Sequence, residues 1–382
     1  MESFLGHYFN PRLLSITHIL ALGWGGIMIF GALYQLLPVI VNSKLYNIKL
    51  GFVAFVFILL GVFLLSFCFW SFNVGVLMQI AAPILLIGVF LFSINVFMTS
   101  APKKKTIEYE FVVSAILWLL VTCIVGVLMV FNFEYVFLSR EHLHYLTLHA
   151  HVGAFGFFLL LIIGVSSKLI PMFLLSTPIS NSSLVYSFYA INLGLVLILS
   201  DGFVFGSIDR IFFYALLIFT GILTYLYFIY SAYKSRVRRV LDIPMRKSML
   251  AFIFILLLVF FYISTYALGS IEYTFRFIVS TGLLFFMGFI SILIFGQTFK
   301  TFPFIVWIAK FKDTKNRKIL PKDLYSEKLL QFQLPVFFIG FLVFLLGILA
   351  QNIQLLYCGA ILFVITALLF FINVMKIVLY KS

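Results

Sequence analysis

Long apolar runs follow one another along all of this chain of 382 residues. A helix needs about 20 apolar residues to cross the hydrocarbon core of a bilayer. Eleven runs of roughly that length or longer cover about 13–41, 49–72, 75–99, 110–132, 145–176, 182–205, 210–233, 248–269, 273–309, 334–350 and 353–380. Because these runs are continuous rather than alternating, they predict membrane-spanning helices and exclude a membrane β-barrel.

The composition excludes the soluble classes of protein. Hydrophobic residues make up 64% of the chain and charged residues 10%, against about 45–50% and about 25% in soluble domains. The sequence therefore predicts an all-α fold: a polytopic membrane bundle of about 11–12 transmembrane helices, surrounded by lipid. We expect residues 1–382 to form a single transmembrane domain, since no stretch is typical of a soluble one.

Basic residues are concentrated in alternate loops. The chain has 26 Lys and Arg against 12 Asp and Glu, a net charge of +14. The basic loops lie at about 42–49, at Lys103, Lys104 and Lys105, at 234–247 and at 310–333. Since basic loops stay in the cytoplasm, we expect a cell-membrane protein with its N-terminus outside and its C-terminus inside. This asymmetry accounts for the charge without a nucleic-acid partner.

A short frame of residues recurs three times. The frame is His-x4-Gly-x7-Gly-x6-Pro, with Leu in place of His in the third copy. Its members are His18, Gly23, Gly31 and Pro38; His151, Gly156, Gly164 and Pro171; and Leu283, Gly288, Gly296 and Pro303. The copies start 133 and 132 residues apart and predict a pseudo-threefold internal repeat over about 12–144, 145–272 and 273–382. The glycines let a neighbouring helix or a flat ligand approach the backbone, and helix packing alone remains an open interpretation.

Histidines are confined to the first part of the chain. The six are His7, His18, His142, His144, His149 and His151. His18 and His151 occupy the same position of the frame, and two imidazoles from neighbouring helices are natural axial ligands of haem iron. Because residues two apart on a helix point to opposite sides, His149 and His151 are expected to serve different sites. The alternative for any one of them is a hydrogen-bonded core histidine.

Other polar residues lie near the same helix ends. His142 and His144 each precede one of the later pair by seven residues, which places them on the same two helix faces. They offer a weaker copper or zinc site, or they simply reach the interface. Arg12 and Arg140 are candidates to pair with haem propionates, with ordinary boundary charges as the alternative.

The run from Leu148 to Gly156, with Gly164 and Pro171, resembles the haem-bearing helix of the catalytic subunit of haem–copper oxidases. The likeness is closest to high-affinity cytochrome-c oxidases and nitric oxide reductases, and the run 18–38 resembles helix ends of the same family. The chain is also similar to the bacterial membrane haem proteins linked to nitric oxide tolerance. The oxidase family has twelve helices in three four-helix arcs, which suits the predicted repeat.

The resemblance implies that His151 and His18 bind a low-spin haem b, and that His149 is the proximal ligand of a second haem. Copper lacks support, because the chain has no His-His pair and no His after residue 151. The expected function is electron transfer, or the binding or reduction of nitric oxide or oxygen. The electron donor would be a quinol or a cytochrome, with additional subunits or a homo-oligomer as partners. The alternative is a haem-free transporter or a copper- or zinc-handling protein that uses the histidines.

Overall fold

A computed structural model describes residues 1–99, 106–207, 209–267, 271–311 and 319–380. Within these residues, eleven helices are long and apolar enough to cross a membrane, which confirms an all-α, polytopic membrane bundle. We number them α1 (Pro11–Val41), α2 (Ile48–Ser71), α3 (Val76–Thr99), α4 (Ile107–Tyr135), α5 (His142–Leu174), α6 (Ser182–Phe205), α7 (Ile211–Lys234), α8 (Ile243–Ser264), α9 (Phe275–Phe311), α10 (Glu327–Leu349) and α11 (Ile353–Val378).

Four helices begin three or more residues before the apolar runs predict: α4, α5, α8 and α10. α5 starts at His142 rather than near 145, so its first turn contains the polar histidines. α10 starts at Glu327 rather than near 334, because the Ser326 side chain caps it by accepting a bond from the Leu329 N–H at 3.4 Å. Hydropathy detects the part of a helix that lies in lipid and misses polar first turns.

Part of the predicted basic loops cannot be compared with the structure. Lys103, Lys104 and Lys105 lie outside the described residues, as do 312–318 in the loop after α9. The orientation of the chain in the membrane therefore stays a prediction.

The chain forms two compact units. One contains Leu14–Arg239 and the other contains Val240–Ser382 together with Met1–Leu13. We call them the α1–α7 unit and the α8–α11 unit, and each is described by itself.

Glycines allow close helix packing inside the α1–α7 unit. The hairpins α2–α3 and α6–α7 are its most extensive helix pairs. A Cβ on Gly88 of α3 would lie 2.7 Å from the Ile58 nitrogen of α2, and one on Gly221 of α7 would lie 3.1 Å from the Ser187 oxygen of α6. Such positions admit only glycine without separating the helices. Gly88 and Gly221 are 133 residues apart, the spacing of the first two copies of the frame.

Three long helices change from α to π geometry for eight residues each. The π segments are Ile19–Gly26 in α1, Val152–Leu159 in α5 and Leu284–Ser291 in α9. They begin directly after His18, His151 and Leu283. π-helical segments are rare in proteins, and those that occur often lie at functional sites. Their position therefore favours a functional role for His18 and His151, which directly precede two of them.

Candidate functional site

His18 and His149 are neighbours inside the α1–α7 unit. Their ring centres are 6.4 Å apart, and the ring planes are inclined by 27°. His18 lies seven residues into α1 and His149 seven residues into α5, about 10 Å along each helix. Both side chains are partly buried. Two helices far apart in the chain thus bring two imidazoles to one place.

Each of the three candidate ligands donates a hydrogen bond from Nδ1 to a main-chain carbonyl. The His18 ring donates to the Leu14 oxygen at 2.8 Å, and the His151 ring to the Thr147 oxygen at 2.8 Å. The His149 ring donates across to the Thr122 oxygen of α4 at 3.0 Å. Since a carbonyl can only accept, the proton of the neutral ring lies on Nδ1 and the lone pair lies on Nε2. The same arrangement orients metal-ligating histidines.

The surroundings of the pair are apolar and closely packed. The Phe69 ring lies 4.9 Å from the His18 ring, nearly parallel to it. A Cβ on Gly126 of α4 would lie 3.1 Å from His149 Cε1. The absence of a side chain at Gly126 therefore leaves room for the His149 ring.

The distance between the two ring centres would admit one iron held by a nitrogen of each ring. A metal–imidazole nitrogen bond is about 2 Å, and the nitrogen lies about 1 Å from the ring centre, so two opposed ligands have ring centres about 6 Å apart. The observed 6.4 Å agrees with this value. Nitrogen donors whose protons are held on Nδ1 also suit haem iron. The resemblance pairs His18 with His151, whereas His149 is the ring at this distance; the pairing with His151 stays a prediction.

His142 and His144 are turned toward different helices. The His142 ring hydrogen-bonds the Met129 oxygen of α4 at 3.1 Å and lies 4.3 Å from the Phe133 ring. Nε2 of His144, which is buried, donates to the Gly202 oxygen of α6 at 2.9 Å. Across the described part of the chain, no three His, Cys, Asp or Glu residues converge on a common point. The structure thus offers nothing in favour of a copper or zinc site at this pair.

The two candidate arginines are exposed. Arg12 lies in the first turn of α1, where its main-chain N–H bonds the Asn10 side chain at 3.0 Å. The Arg140 guanidinium packs on Gly206, where a Cβ would lie 2.6 Å from Nη2. Gly206 has a φ of +65°, a conformation that favours glycine. The proposed pairing of these arginines with haem propionates stays a prediction.

One buried acid has no role in the sequence-based site. Asp201 opens a π segment at the end of α6 and is only 4% exposed. The Tyr214 hydroxyl of α7 donates to its carboxylate at 3.2 Å. The sequence signal is an acid at the end of an apolar run, which favours an interfacial position and does not reveal burial inside the protein.

Comparison with protein-family models found no match, and comparison with curated protein sequences found no similar protein. The class of this protein therefore follows from its fold and from the position of its histidines. The protein is a polytopic helical membrane protein in which α1 and α5 bring histidines together.

Proposed function

We propose that the α1–α7 unit binds a b-type haem, with His18 of α1 as one axial ligand and a histidine of the His149-x-His151 pair as the other. The observation that carries the proposal is the 6.4 Å between the ring centres of His18 and His149. It supports His149 as the partner of His18. His151, whose ring is oriented by the Thr147 carbonyl, is then the candidate ligand of a second haem.

The π segments support the rest of the proposed architecture. All three occupy the same eight positions of the repeated frame. We propose that the chain is a threefold internal repeat, similar in plan to the oxidase catalytic subunit, with basic loops in the cytoplasm and the histidine-bearing helix ends outside. The haem then lies near the outer surface of the cell membrane.

Two main-chain carbonyls orient the candidate ligands, and one aromatic side chain shields one of them. The Leu14 and Thr122 carbonyls keep the protons of His18 and His149 on Nδ1, so that Nε2 stays basic. Phe69 excludes water from one face of His18. A bound haem supplies reversible one-electron chemistry and, where one axial position is open, binds a small gas. The proposed function is electron transfer, or the binding or reduction of nitric oxide or oxygen, with electrons from a quinol or a cytochrome.

The test is the visible spectrum of the full chain purified from cells supplied with haem. We expect a Soret band, and reduced-minus-oxidised bands of a low-spin haem b that carbon monoxide leaves unchanged. The variants His18→Ala and His149→Ala should each lose at least about 90% of the low-spin signal. His142→Ala is the matched control, since its ring bonds a main-chain carbonyl of α4, and it should keep the signal.

Three other results would overturn the haem proposal or part of it. Protein without a Soret band overturns the proposal, and stoichiometric copper or zinc in iron-free protein would indicate the metal-handling alternative. A signal lost in His151→Ala and kept in His149→Ala would overturn the assignment of His149. It would restore the pairing that the resemblance implies.

A further inference from the structure

One serine of α2 has a buried hydroxyl without a partner. Ser66 is only 5% exposed, and its Oγ has no hydrogen-bond partner among the described residues. A serine inside a helix can donate to the carbonyl four residues earlier, as Ser71 does to the Phe67 oxygen at 2.8 Å. Ser93 makes the same bond in α3. An unsatisfied buried donor is costly, so the different behaviour of Ser66 calls for a physical reason.

Ser66 lies on the face of α2 that packs against α1. Val62, Ser66 and Phe69 are separated by steps of four and three residues, so they line one side of the helix. A Cβ on Gly23 of α1 would lie 3.6 Å from Val62 Cγ1. The Phe69 ring centre lies 4.9 Å from the ring centre of His18. Ser66 is thus flanked on its face by two residues that contact α1, and one of them lies against a candidate axial ligand.

A second serine holds α1 against α2 at this place. The Ser15 hydroxyl donates to the Ser66 main-chain oxygen at 2.8 Å, and Ser15 is 1% exposed. Because Ser15 and His18 are three residues apart, they lie on one side of α1, and the bond keeps that side next to Ser66. These residues all belong to the α1–α7 unit. Their arrangement is therefore set inside one unit.

The Ser66 hydroxyl lacks an acceptor, and a b-type haem carries strong acceptors in its propionate carboxylates. A bond from a hydroxyl to a carboxylate is stronger than a bond between neutral groups. We propose that the Ser66 hydroxyl donates a hydrogen bond to a propionate of the haem that His18 binds. This inference rests on the proposed function. It adds a buried donor to Arg12 and Arg140, the exposed candidates for the same group.

The proposal predicts opposite effects of one substitution on the haem-free and the haem-loaded protein. Without haem, Ser66→Ala removes an unsatisfied donor and keeps the main-chain oxygen that Ser15 uses, so the midpoint of thermal unfolding should equal or exceed that of the wild type. With haem, the variant loses a bond to a charged group, so haem should dissociate at least about tenfold faster. The hydroxyl also offsets part of the negative charge of the propionate. Its loss should therefore lower the midpoint potential of the haem.

The test uses the full chain in detergent, both haem-free and loaded with haem. Transfer of haem to excess apomyoglobin gives the dissociation rate, and a spectroscopic redox titration gives the midpoint potential. We expect faster haem loss and a lower potential in Ser66→Ala, whereas Ser66→Thr, which keeps a hydroxyl, should stay close to the wild type. The matched control is Ser93→Ala, which removes a buried hydroxyl that already bonds the Val89 oxygen inside α3. It should change neither the rate nor the potential.

The possible failures of this inference and of the proposed function are distinguishable. A folded Ser66→Ala protein that binds haem with the wild-type dissociation rate and potential would overturn the inference alone. Equally fast haem loss in Ser66→Ala and Ser93→Ala would also overturn it, because it would indicate a general packing effect. A lower unfolding midpoint of haem-free Ser66→Ala would mean that a buried water already satisfies the hydroxyl, with the same consequence. Wild-type protein without a Soret band would overturn the proposed function and the inference together.

Discussion

Replacing Gly126 by alanine moves the His149 ring without removing any candidate ligand. The new Cβ would lie 3.1 Å from His149 Cε1 and 3.6 Å from Nδ1. Carbon atoms in ordinary contact are about 3.5–4.0 Å apart, so the ring has to move by roughly 0.4 Å or more. Ligands have to be held within about 0.5 Å of their productive positions, and this movement, added to the ring's ordinary fluctuations, uses up that margin. We therefore expect Gly126→Ala to lower the low-spin haem signal several-fold, either as lost haem or as a high-spin form that binds carbon monoxide.

The folding energy of this variant separates a local effect from a global one. Gly126 lies inside α4, where alanine is favoured over glycine by about 0.8–1 kcal/mol. In the haem-free proteins, the midpoint of thermal unfolding of the variant should therefore equal or exceed that of the wild type, although the spectrum of the haem-loaded variant changes. Gly282→Ala, which meets open space, controls for the substitution itself. A stable Gly126→Ala protein with the wild-type low-spin bands at full amplitude would refute the placement of His149 as a ligand beside Gly126.

Three further variants test the packing and the electrostatics. Gly88→Ala brings a Cβ to 2.7 Å from the Ile58 nitrogen, so it should lower the free energy of unfolding by about 1–3 kcal/mol in a detergent-unfolding titration; an unchanged midpoint would contradict the close approach. Tyr214→Phe removes a donor to the buried Asp201 carboxylate and should cost about 1–3 kcal/mol in the same assay, whereas a neutral result would mean that the bond is not formed. Burial, followed by two nearby carboxylates, raises the pKa of Tyr325 from 10.0 to about 12. The unfolded chain therefore loses this proton first, and stability should fall between about pH 10 and 12. Tyr325→Phe should reduce that fall, and an identical alkaline profile would disprove the shift.

The number and type of the helices followed from the sequence because the partition of a segment into lipid depends on its own composition. All eleven predicted spans recur as helices in the described residues. Their ends were less predictable where polar residues extend the helix beyond the apolar run, as at His142 of α5 and Glu327 of α10. Helix caps and first turns depend on side-chain hydrogen bonds, which hydropathy does not measure.

The histidines that form the candidate site were also evident from the sequence, since imidazoles are rare and costly at membrane depth. Which of them are neighbours was decided by the tertiary structure. His149 and His151 are two positions apart in the sequence, and only the packing of α1 against the rest of its unit brings the His149 ring centre to 6.4 Å from that of His18. Likewise, Gly164 and Gly296 hold the same position of the frame, and the structure decides which helix covers each of them: α4 lies on Gly164 and α8 lies on Gly296. Composition and periodicity indicate whether a segment forms a membrane helix by itself. Which side chains of different helices lie in contact depends on the rotation and spacing of several helices at once.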